Sequence, residues 1–169
     1  VNVSIDSDLC SLYYAKAYRN VKIKKSPEWL TSRLIAFGVR PINNVVDITN
    51  YILALFGQPI HAFDGDKLGK DIKVRLAEKN EKIITLDNIE RNLQESDLVI
   101  TDGVKPVAIA GVMGGLTTEV TQDTKNIILE VAIFDSRAIR ATSLRLGLRS
   151  ESSIRFERGV DTNRTKDVI

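Results

Sequence analysis

Cysteine and histidine are almost absent from the sequence, which has one of each, Cys10 and His61, among 169 residues. A single cysteine forms no internal disulfide and no cysteine metal cluster, which fits a reducing cytosol and argues against a small secreted scaffold. One histidine, with no HExxH motif and no EF-hand loop, leaves no recognisable zinc or calcium site. The sequence therefore predicts a domain with no metal and no other cofactor.

Long apolar runs are also missing, since none approaches the ~18 to 20 residues that a membrane-spanning helix needs. The N-terminus lacks the charged-then-apolar layout of a signal peptide. We therefore expect a soluble, cytoplasmic protein with no membrane contact. The only methionine is Met113, so residue 1 is not an initiator. We expect residues 1–169 to form one domain of a larger chain.

A strong excess of either charge is absent, because 24 basic residues stand against 22 acidic ones, for a formal net charge of +2. This balance excludes a polycationic nucleic-acid wrapper, so any RNA contact must be local. Arginine is nevertheless concentrated late in the chain, at Arg137, Arg140, Arg145, Arg149, Arg155, Arg158 and Arg164. This segment is a candidate phosphate-binding surface. The alternative is a solvated helix face with internal ion pairs.

Hydrophobic residues make up 43% of the chain, enough for one sizeable core. Their spacing predicts strands at residues 11–23, 72–76, 82–86, 97–101, 107–110 and 127–134. Helices are predicted from Pro27 behind a Ser26 cap, within residues 43–56, from Asp135 to Leu146, and from about Ser150. The helix within 43–56 carries an apolar stripe at Val45, Ile48, Ile52 and Leu55. The mixed order predicts an α+β fold, a single compact domain of layered mixed or antiparallel β-sheets packed with helices.

Glu130 is the most unusual residue, because it interrupts the apolar run I-I-L-E-V-A-I-F at residues 127–134. A carboxylate in a strand buried on both faces costs free energy unless donors meet it. Glu130 is therefore a candidate acceptor in a polar pocket. The alternatives are a position at the strand end or a structural ion pair with an arginine.

Three further features can carry chemistry. His61 follows G-Q-P-I in a predicted loop, where an imidazole can orient a substrate or transfer a proton, although a packing role is commoner. Gly114 and Gly115 either present backbone N–H groups to an oxygen or form a tight turn. Ser150 and Ser152 stand outside any GxSxG motif, so a serine-hydrolase triad is not expected.

Several motifs together resemble one known family. They are R-P-I-N-N-V-V-D-I-T-N-Y at residues 40–51, G-Q-P-I-H-A-F-D at 57–64, A-I-A-G-V-M-G-G at 108–115, L-E at 129–130 and R-F-E-R-G-V-D at 155–161. In order and spacing they are similar to the editing (B3/B4) domain of bacterial phenylalanyl-tRNA synthetase beta subunits. That resemblance implies hydrolysis of tyrosine wrongly esterified to tRNA(Phe). It also implies two sets of partners, the remainder of the beta subunit and the alpha subunit of a heterotetrameric synthetase.

The resemblance also implies roles for individual residues. Glu130 would accept the tyrosine hydroxyl, with a backbone N–H of the Gly114–Gly115 turn as the second contact. The ester would be oriented by His61, Thr49, Asn50 and Arg40, of which we expect the first three to serve catalysis. Water would attack the ester, with or without help from the terminal ribose hydroxyl of the tRNA. Two arginines, Arg149 and Arg155, would contact tRNA.

One segment departs from the family pattern. Where many relatives read G-L-R-T-E-A-S, residues 147–153 read G-L-R-S-E-S-S, which places serine at Ser150 and Ser152 and alters the expected volume and polarity of the pocket. A competing hypothesis from another class is a module that binds RNA or an amino acid without hydrolysis, or that serves as a scaffold in the same synthetase.

Overall fold

This computed structural model describes residues 1–163 and 165–168, without the side chains of residues 166 and 167. In these residues, alternating apolar patterns and capping residues form ten strands and five α-helices. The strands are β1 Asn2–Ile5, β2 Cys10–Tyr18, β3 Ile60–Asp64, β4 Asp71–Leu76, β5 Lys82–Ile84, β6 Glu90–Asn92, β7 Leu98–Thr101, β8 Pro106–Ile109, β9 Met113–Gly114 and β10 Ile127–Phe134. The helices are α1 Glu28–Ala36, α2 Asn44–Phe56, α3 Gly65–Leu68, α4 Ser136–Leu146 and α5 Glu151–Arg158. Short 3₁₀ turns span Leu116–Thr118 and Thr165–Val168.

The strands form three sheets. A five-stranded sheet has the order β1-β4-β7-β8-β9, in which β1 pairs with β4 in parallel and the other neighbours are antiparallel. A three-stranded antiparallel sheet has the order β2-β10-β3, and β5 and β6 form a hairpin. The predicted α+β class, with mixed and antiparallel sheets packed with helices, is confirmed.

β10 is the central strand of the three-stranded sheet and is apolar on both faces. Because side chains alternate along a strand, Ile128, Ala132 and Phe134 share one face, and all three belong to the main hydrophobic core. Ile127 and Leu129, on the other face, pack in a smaller cluster with Val45 and Val120. Glu130 therefore lies on the face directed at the main core.

Helix α2 begins and ends as the sequence predicts, but its buried face differs from the predicted one. Asn43 accepts hydrogen bonds from the Val45 and Val46 N–H groups, and Gly57 ends the helix with a φ of 68°. Of the predicted apolar stripe, only Val45 is buried, whereas Ile48 and Leu55 are about half exposed. The buried positions are Val45, Asp47, Thr49 and Leu53.

The predicted Ser26 cap of helix α1 is wrong, and the reason is a competing hydrogen bond. The Ser26 hydroxyl donates to Asp47 Oδ2 of helix α2 at 2.5 Å, and Pro27 occupies the N-cap position without a side-chain bond. Asp47 also accepts from the Ile42 N–H. This buried carboxylate therefore ties both helices and the loop between them together.

The two C-terminal helices begin where the sequence predicts, and the predicted cap at Asp135 and end at Gly147 are confirmed. Asp135 accepts hydrogen bonds from two backbone N–H groups at the start of α4, and Gly147 ends that helix with a φ of 64°. Ser150 caps α5 in a capping box, in which the Ser150 and Ser153 side chains bond each other's backbone N–H groups. Of the helices in residues 1–163 and 165–168, none is long and apolar enough to cross a membrane.

Candidate functional site

A cleft opens between the two larger sheets and is closed on one side by helix α5. Its walls come from β3 and β10 of one sheet, from the β8–β9 region of the other, and from Ser152 and Phe156 of α5. The space in the cleft, counted together with the open solvent at its mouth, is about 370 Å³. Most of the lining side chains are apolar, and the polar ones are His61, Glu130 and Ser152.

Glu130 projects into this cleft from the middle of β10, not from a strand end. The residue is only 6% exposed, and its Oε2 atom has no hydrogen-bond partner among the described residues. Burial raises the pKa of Glu130 to about 8, and an interaction with Tyr13 opposes part of that rise. The arginine ion pair considered from the sequence is not found within the described part of the chain. At pH 7 the site therefore holds a largely protonated carboxyl group.

His61 lies directly opposite Glu130 in the pairing of β3 with β10, so the two side chains emerge on the same face of the sheet. The His61 ring packs edge-on against Phe63, with centroids 4.4 Å apart. Part of its side chain is exposed in the cleft, but protein surrounds most of the ring, and this burial lowers the pKa of His61 to about 4. The imidazole is therefore neutral at pH 7.

Gly114 faces the histidine ring and permits its position. A Cβ atom at Gly114 would lie 2.6 Å from His61 Cε1 and 2.8 Å from Nε2, closer than atoms can approach. The next residue, Gly115, donates its N–H to the Val107 carbonyl at 2.7 Å. Since successive N–H groups of a strand point to opposite sides, the Gly114 N–H is directed away from β8.

The expectation that either glycine offers a donor is thereby corrected, because the Gly115 N–H is engaged within the sheet. A Cβ at Gly115 would also meet the Val107 carbonyl oxygen at 2.6 Å, so this glycine serves the close approach of two strands. The Gly114 carbonyl accepts a hydrogen bond from the Leu86 N–H at 3.0 Å, and the donor role expected for the Gly114 N–H stays a prediction.

The two predicted serines have different positions. Ser150 accepts a hydrogen bond from the Ser153 N–H at 3.0 Å and donates to the Val112 carbonyl at 2.6 Å. It therefore fixes the start of α5 to the glycine-bearing loop and does not line the cleft. Ser152 does line the cleft, where it places a hydroxyl on the wall opposite the sheet that carries Glu130.

Arg40, Thr49 and Asn50 are not among the residues that line the cleft. Arg40 is exposed in the connection between α1 and α2. Thr49 is buried and donates its hydroxyl to the Val46 carbonyl at 2.8 Å, within α2. Asn50 is half-buried on the same helix, which packs against β3. The roles expected for these three residues stay predictions.

The arginines of the C-terminal segment are mostly exposed and partly paired. Arg149 lies 3.6 Å from Glu157 with a 70% exposed side chain, and Arg155 lies 3.4 Å from Glu151. Arg145 pairs with the buried Asp97. A surface groove beside α4 and α5 is lined by Arg140, Ser143, Leu144, Gly147, Arg149, Glu157 and Arg158. Arg164 lies outside the described residues, and the predicted tRNA contacts stay predictions.

Sequence reasoning missed Tyr13, which contacts the site from behind. It is 7% exposed in β2 and sits opposite Ala132, two residues from Glu130 on the same face of the sheet. Alternation within residues 10–18 gave no sign of this neighbour, because only the strand pairing brings the two residues together.

The chain belongs to a known class of domain. A family model described as the B3/4 domain matches residues 9–169, and the chain belongs to that family. Its relatives include the phenylalanine–tRNA ligase beta subunits of Bacillus cereus, 57% identical with 100% of this chain and 21% of the relative covered, and of Streptococcus mutans, 57% identical with 95% and 20% covered. The resemblance to this beta subunit is confirmed, and the chain spans about a fifth of the length of these curated relatives.

A solved structure supports the fold independently. An N-terminal fragment of the phenylalanyl-tRNA synthetase beta subunit from Pyrococcus horikoshii matches with a TM-score of 0.57 over 86% of this chain and 48% of that chain, at 19% identity. At this identity the match shows the fold alone.

Proposed function

We propose that this chain is the editing domain of a phenylalanine–tRNA ligase beta subunit, which hydrolyses the ester of tyrosine mischarged onto tRNA(Phe). The observation that carries the proposal is the buried carboxyl group of Glu130. One of its oxygens has no hydrogen-bond partner among the described residues, and it lines a cleft beside His61 and Gly114. Domain membership and relatives give the context, and the side chains of the cleft give the chemistry.

A separate editing site is needed because the site that selects phenylalanine discriminates poorly against tyrosine. A pocket shaped for phenylalanine cannot strongly reject a ring that merely adds a hydroxyl, and a comparable case gives only about 100-fold discrimination. A site that hydrogen-bonds the hydroxyl prefers tyrosine, and its discrimination reaches ~10⁴ or more. The reason is that phenylalanine, which lacks the hydroxyl, leaves buried polar groups unpaired. Glu130 Oε2 is such a group.

A neutral carboxyl group suits this task. With its pKa raised to about 8 by burial, Glu130 holds a proton at pH 7 before substrate binds. The protonated group keeps acceptor capacity and gains one O–H donor, so it can exchange a hydrogen bond with the hydroxyl of a phenol. A phenylalanine ring in the same place offers no hydroxyl for that bond.

The proposed reaction is direct attack of water on the aminoacyl ester. The water oxygen forms a bond to the ester carbonyl carbon, the bond from that carbon to the ribose oxygen breaks, and the proton released by water ends on the ribose oxygen. Because the pKa of His61 is lowered to about 4 by burial, its neutral imidazole is a weak base at pH 7. We therefore assign it to orienting the water or ester.

The Gly114 N–H, directed away from β8, supplies a fixed donor for a ligand oxygen. Arg40, Thr49 and Asn50 are proposed for the nucleotide end of the substrate, outside the cleft that holds the ring. The reaction as proposed uses no cofactor. The remainder of the beta subunit, the alpha subunit of a heterotetramer and tRNA(Phe) are the proposed partners, in the cytoplasm.

The test uses the complete ligase and tRNA(Phe) carrying tyrosine. Glu130→Ala is expected to slow release of tyrosine about 10- to 100-fold, the worth of a buried hydrogen bond to a polar partner, while aminoacylation with phenylalanine continues. Glu95→Ala, at an exposed position, is the matched control.

Two outcomes would contradict the proposal. If the wild-type enzyme leaves the lifetime of the tyrosyl ester unchanged, the domain is a binding or scaffolding module. If Glu130→Ala discriminates tyrosine from phenylalanine as well as the wild type does, this carboxyl group is not the recognition element.

A further inference from the structure

Tyr13 brings a second polar group to the buried side of the three-stranded sheet. Its residue is 7% exposed, and its hydroxyl has no hydrogen-bond partner in residues 1–163 and 165–168. A phenylalanine would fill the same space without that cost, since an unpaired buried hydroxyl is unfavourable by about 1 to 3 kcal/mol. The hydroxyl therefore needs an explanation beyond packing.

Glu130 is the polar group that this hydroxyl faces. Tyr13 lies opposite Ala132, so Tyr13 and Glu130 are diagonal neighbours on one face of β2 and β10. Burial and then the proximity of Glu130 raise the pKa of Tyr13 well above its usual value. The two groups are close enough to influence each other, although neither Tyr13 Oη nor Glu130 Oε2 has a hydrogen bond of normal geometry within the described residues.

The two residues differ in their access to the cleft. Glu130 lines it, whereas Tyr13 does not. Tyr13 can therefore act on a ligand only through Glu130, from the protein side of the carboxyl group. Tyr13 Oη and Glu130 Oε2 have no other partner in the described part of the chain, and each residue shifts the pKa of the other in the direction that a hydrogen bond from the phenol to the carboxyl group produces.

We propose that Tyr13 is a positioning residue, whose hydroxyl donates a hydrogen bond to one oxygen of Glu130 and so directs the other oxygen at the ring hydroxyl of the bound amino acid. This inference rests on the proposed function for its ligand, but the link between Tyr13 and Glu130 is independent of it. A chain of three groups results, from substrate hydroxyl through carboxyl group to Tyr13.

The other ionisable groups around Glu130 do not change charge near neutral pH, so the pKa of Glu130 can be measured there without interference. On β2, the pKa of Cys10 is raised to about 12 by burial, and its thiol donates to the Leu12 carbonyl. On β3, the pKa of His61 is lowered to about 4 by burial. The lining residues from β7, β8, β9 and α5 carry no ionisable side chain. Between pH 6 and 9, Glu130 is therefore the group around this site that changes charge.

The experiment compares Tyr13→Phe with Tyr14→Phe, the same substitution one residue along the same strand, on the opposite face of the sheet. The carboxyl pKa of Glu130 is measured by NMR of the chain with ¹³C-labelled glutamate, using Glu130→Gln to assign the signal. Loss of the Tyr13 hydrogen bond is expected to raise this pKa by about one unit, whereas Tyr14→Phe leaves it unchanged. Equal values in all three proteins would overturn the proposal, as would an equal shift in both variants.

A second readout uses the pH profile of tyrosine release by the complete ligase. The profile of Tyr13→Phe is expected to move to higher pH by the same amount, while that of Tyr14→Phe coincides with the wild type. If Tyr13→Phe fails to fold, 3-fluorotyrosine at residue 13 replaces it. This more acidic phenol is a stronger donor, so it should lower the Glu130 pKa, and an unchanged value would count against the proposal.

The two readouts separate the two hypotheses. Absence of tyrosine release by the wild-type ligase would remove the proposed function, while the NMR comparison would still decide whether Tyr13 controls Glu130. Normal release with no effect of Tyr13→Phe on either measurement would remove the positioning role alone.

Discussion

Replacing Glu130 with glutamine keeps the shape of the side chain and removes its ionisation, so it tests the buried state of this group directly. Burial raises the pKa of Glu130 from 4.5 to about 8 in the folded protein. Between these values the folded state holds a proton that the unfolded chain has released. The wild-type protein therefore has this contribution to stability in full below pH 4.5 and loses it as the pH rises through 8.

The magnitude follows from the same two values. Each pKa unit corresponds to about 1.36 kcal/mol, so the full change is up to about 5 kcal/mol in the free energy of unfolding. The glutamine variant does not undergo this loss. Its stability relative to wild type should therefore increase between pH 5 and pH 9. His61, whose pKa is lowered by burial, has the opposite effect between pH 4 and 6.5, but both proteins retain it and it cancels.

Urea unfolding of both proteins at pH 5, 7 and 9, followed by circular dichroism, measures the difference. Glu95→Gln, at a solvent-exposed position, is the control and should remain within about 0.5 kcal/mol of the wild type at each pH. A difference between Glu130→Gln and wild type that stays constant from pH 5 to pH 9 would show that Glu130 ionises as it does in the unfolded chain. Glu130 would then not be the buried, unpartnered carboxyl group described above.

Three other variants, two single and one double, test the cleft, the start of α5 and the arginine-rich surface. Gly114→Ala should displace the imidazole ring beside it and slow tyrosine release by the ligase about 100-fold; a near-normal rate would mean that the ring position is unimportant. Ser150→Ala should cost about 1 to 2 kcal/mol in urea unfolding through loss of the cap, and Ser152→Ala, which removes no cap, provides the comparison. The double change Arg149→Ala and Arg155→Ala should reduce the salt dependence of tRNA binding by about one unit of slope per phosphate contact, and an unaltered slope would exclude these arginines from the interface.

Local structure was predictable wherever short-range chemistry decides it. Asn43, Asp135 and Ser150 are polar residues at helix starts, and Gly57 and Gly147 take the left-handed conformation at helix ends. These signals act within a few residues, so they survive without knowledge of the tertiary fold. The α+β class followed from the same local patterns.

Long-range contacts defeated the same reasoning. The sequence predicts Ser26 as a helix cap, but its hydroxyl instead donates a hydrogen bond to Asp47, 21 residues further along the chain. In α2 the apolar stripe containing Ile48 and Leu55 predicted the wrong face, because the packing against β3 buries Thr49 and Leu53 instead. Periodicity identifies a helix, but it does not say which neighbour the helix will meet.

The candidate site combines residues that local sequence signals identify with contacts that only the tertiary fold creates. Glu130 was singled out correctly as a carboxylate in an apolar strand, while its nearness to His61 came from the family resemblance and not from spacing. Tyr13 carried no signal at all, since its meeting with Glu130 depends on the register of β2 against β10. Gly115 looked like a donor in the sequence, and only the geometry showed its N–H bonded to Val107.

The order of the three-stranded sheet bears on synthesis of the protein by the ribosome. The middle strand β10 comes last in the chain, after β2 and β3, which it must join. A nascent polypeptide that has not yet reached residue 134 thus holds both outer strands without their shared neighbour. The wall of the cleft can close only once most of this domain has emerged, and until then its apolar strands are open to aggregation or chaperone capture.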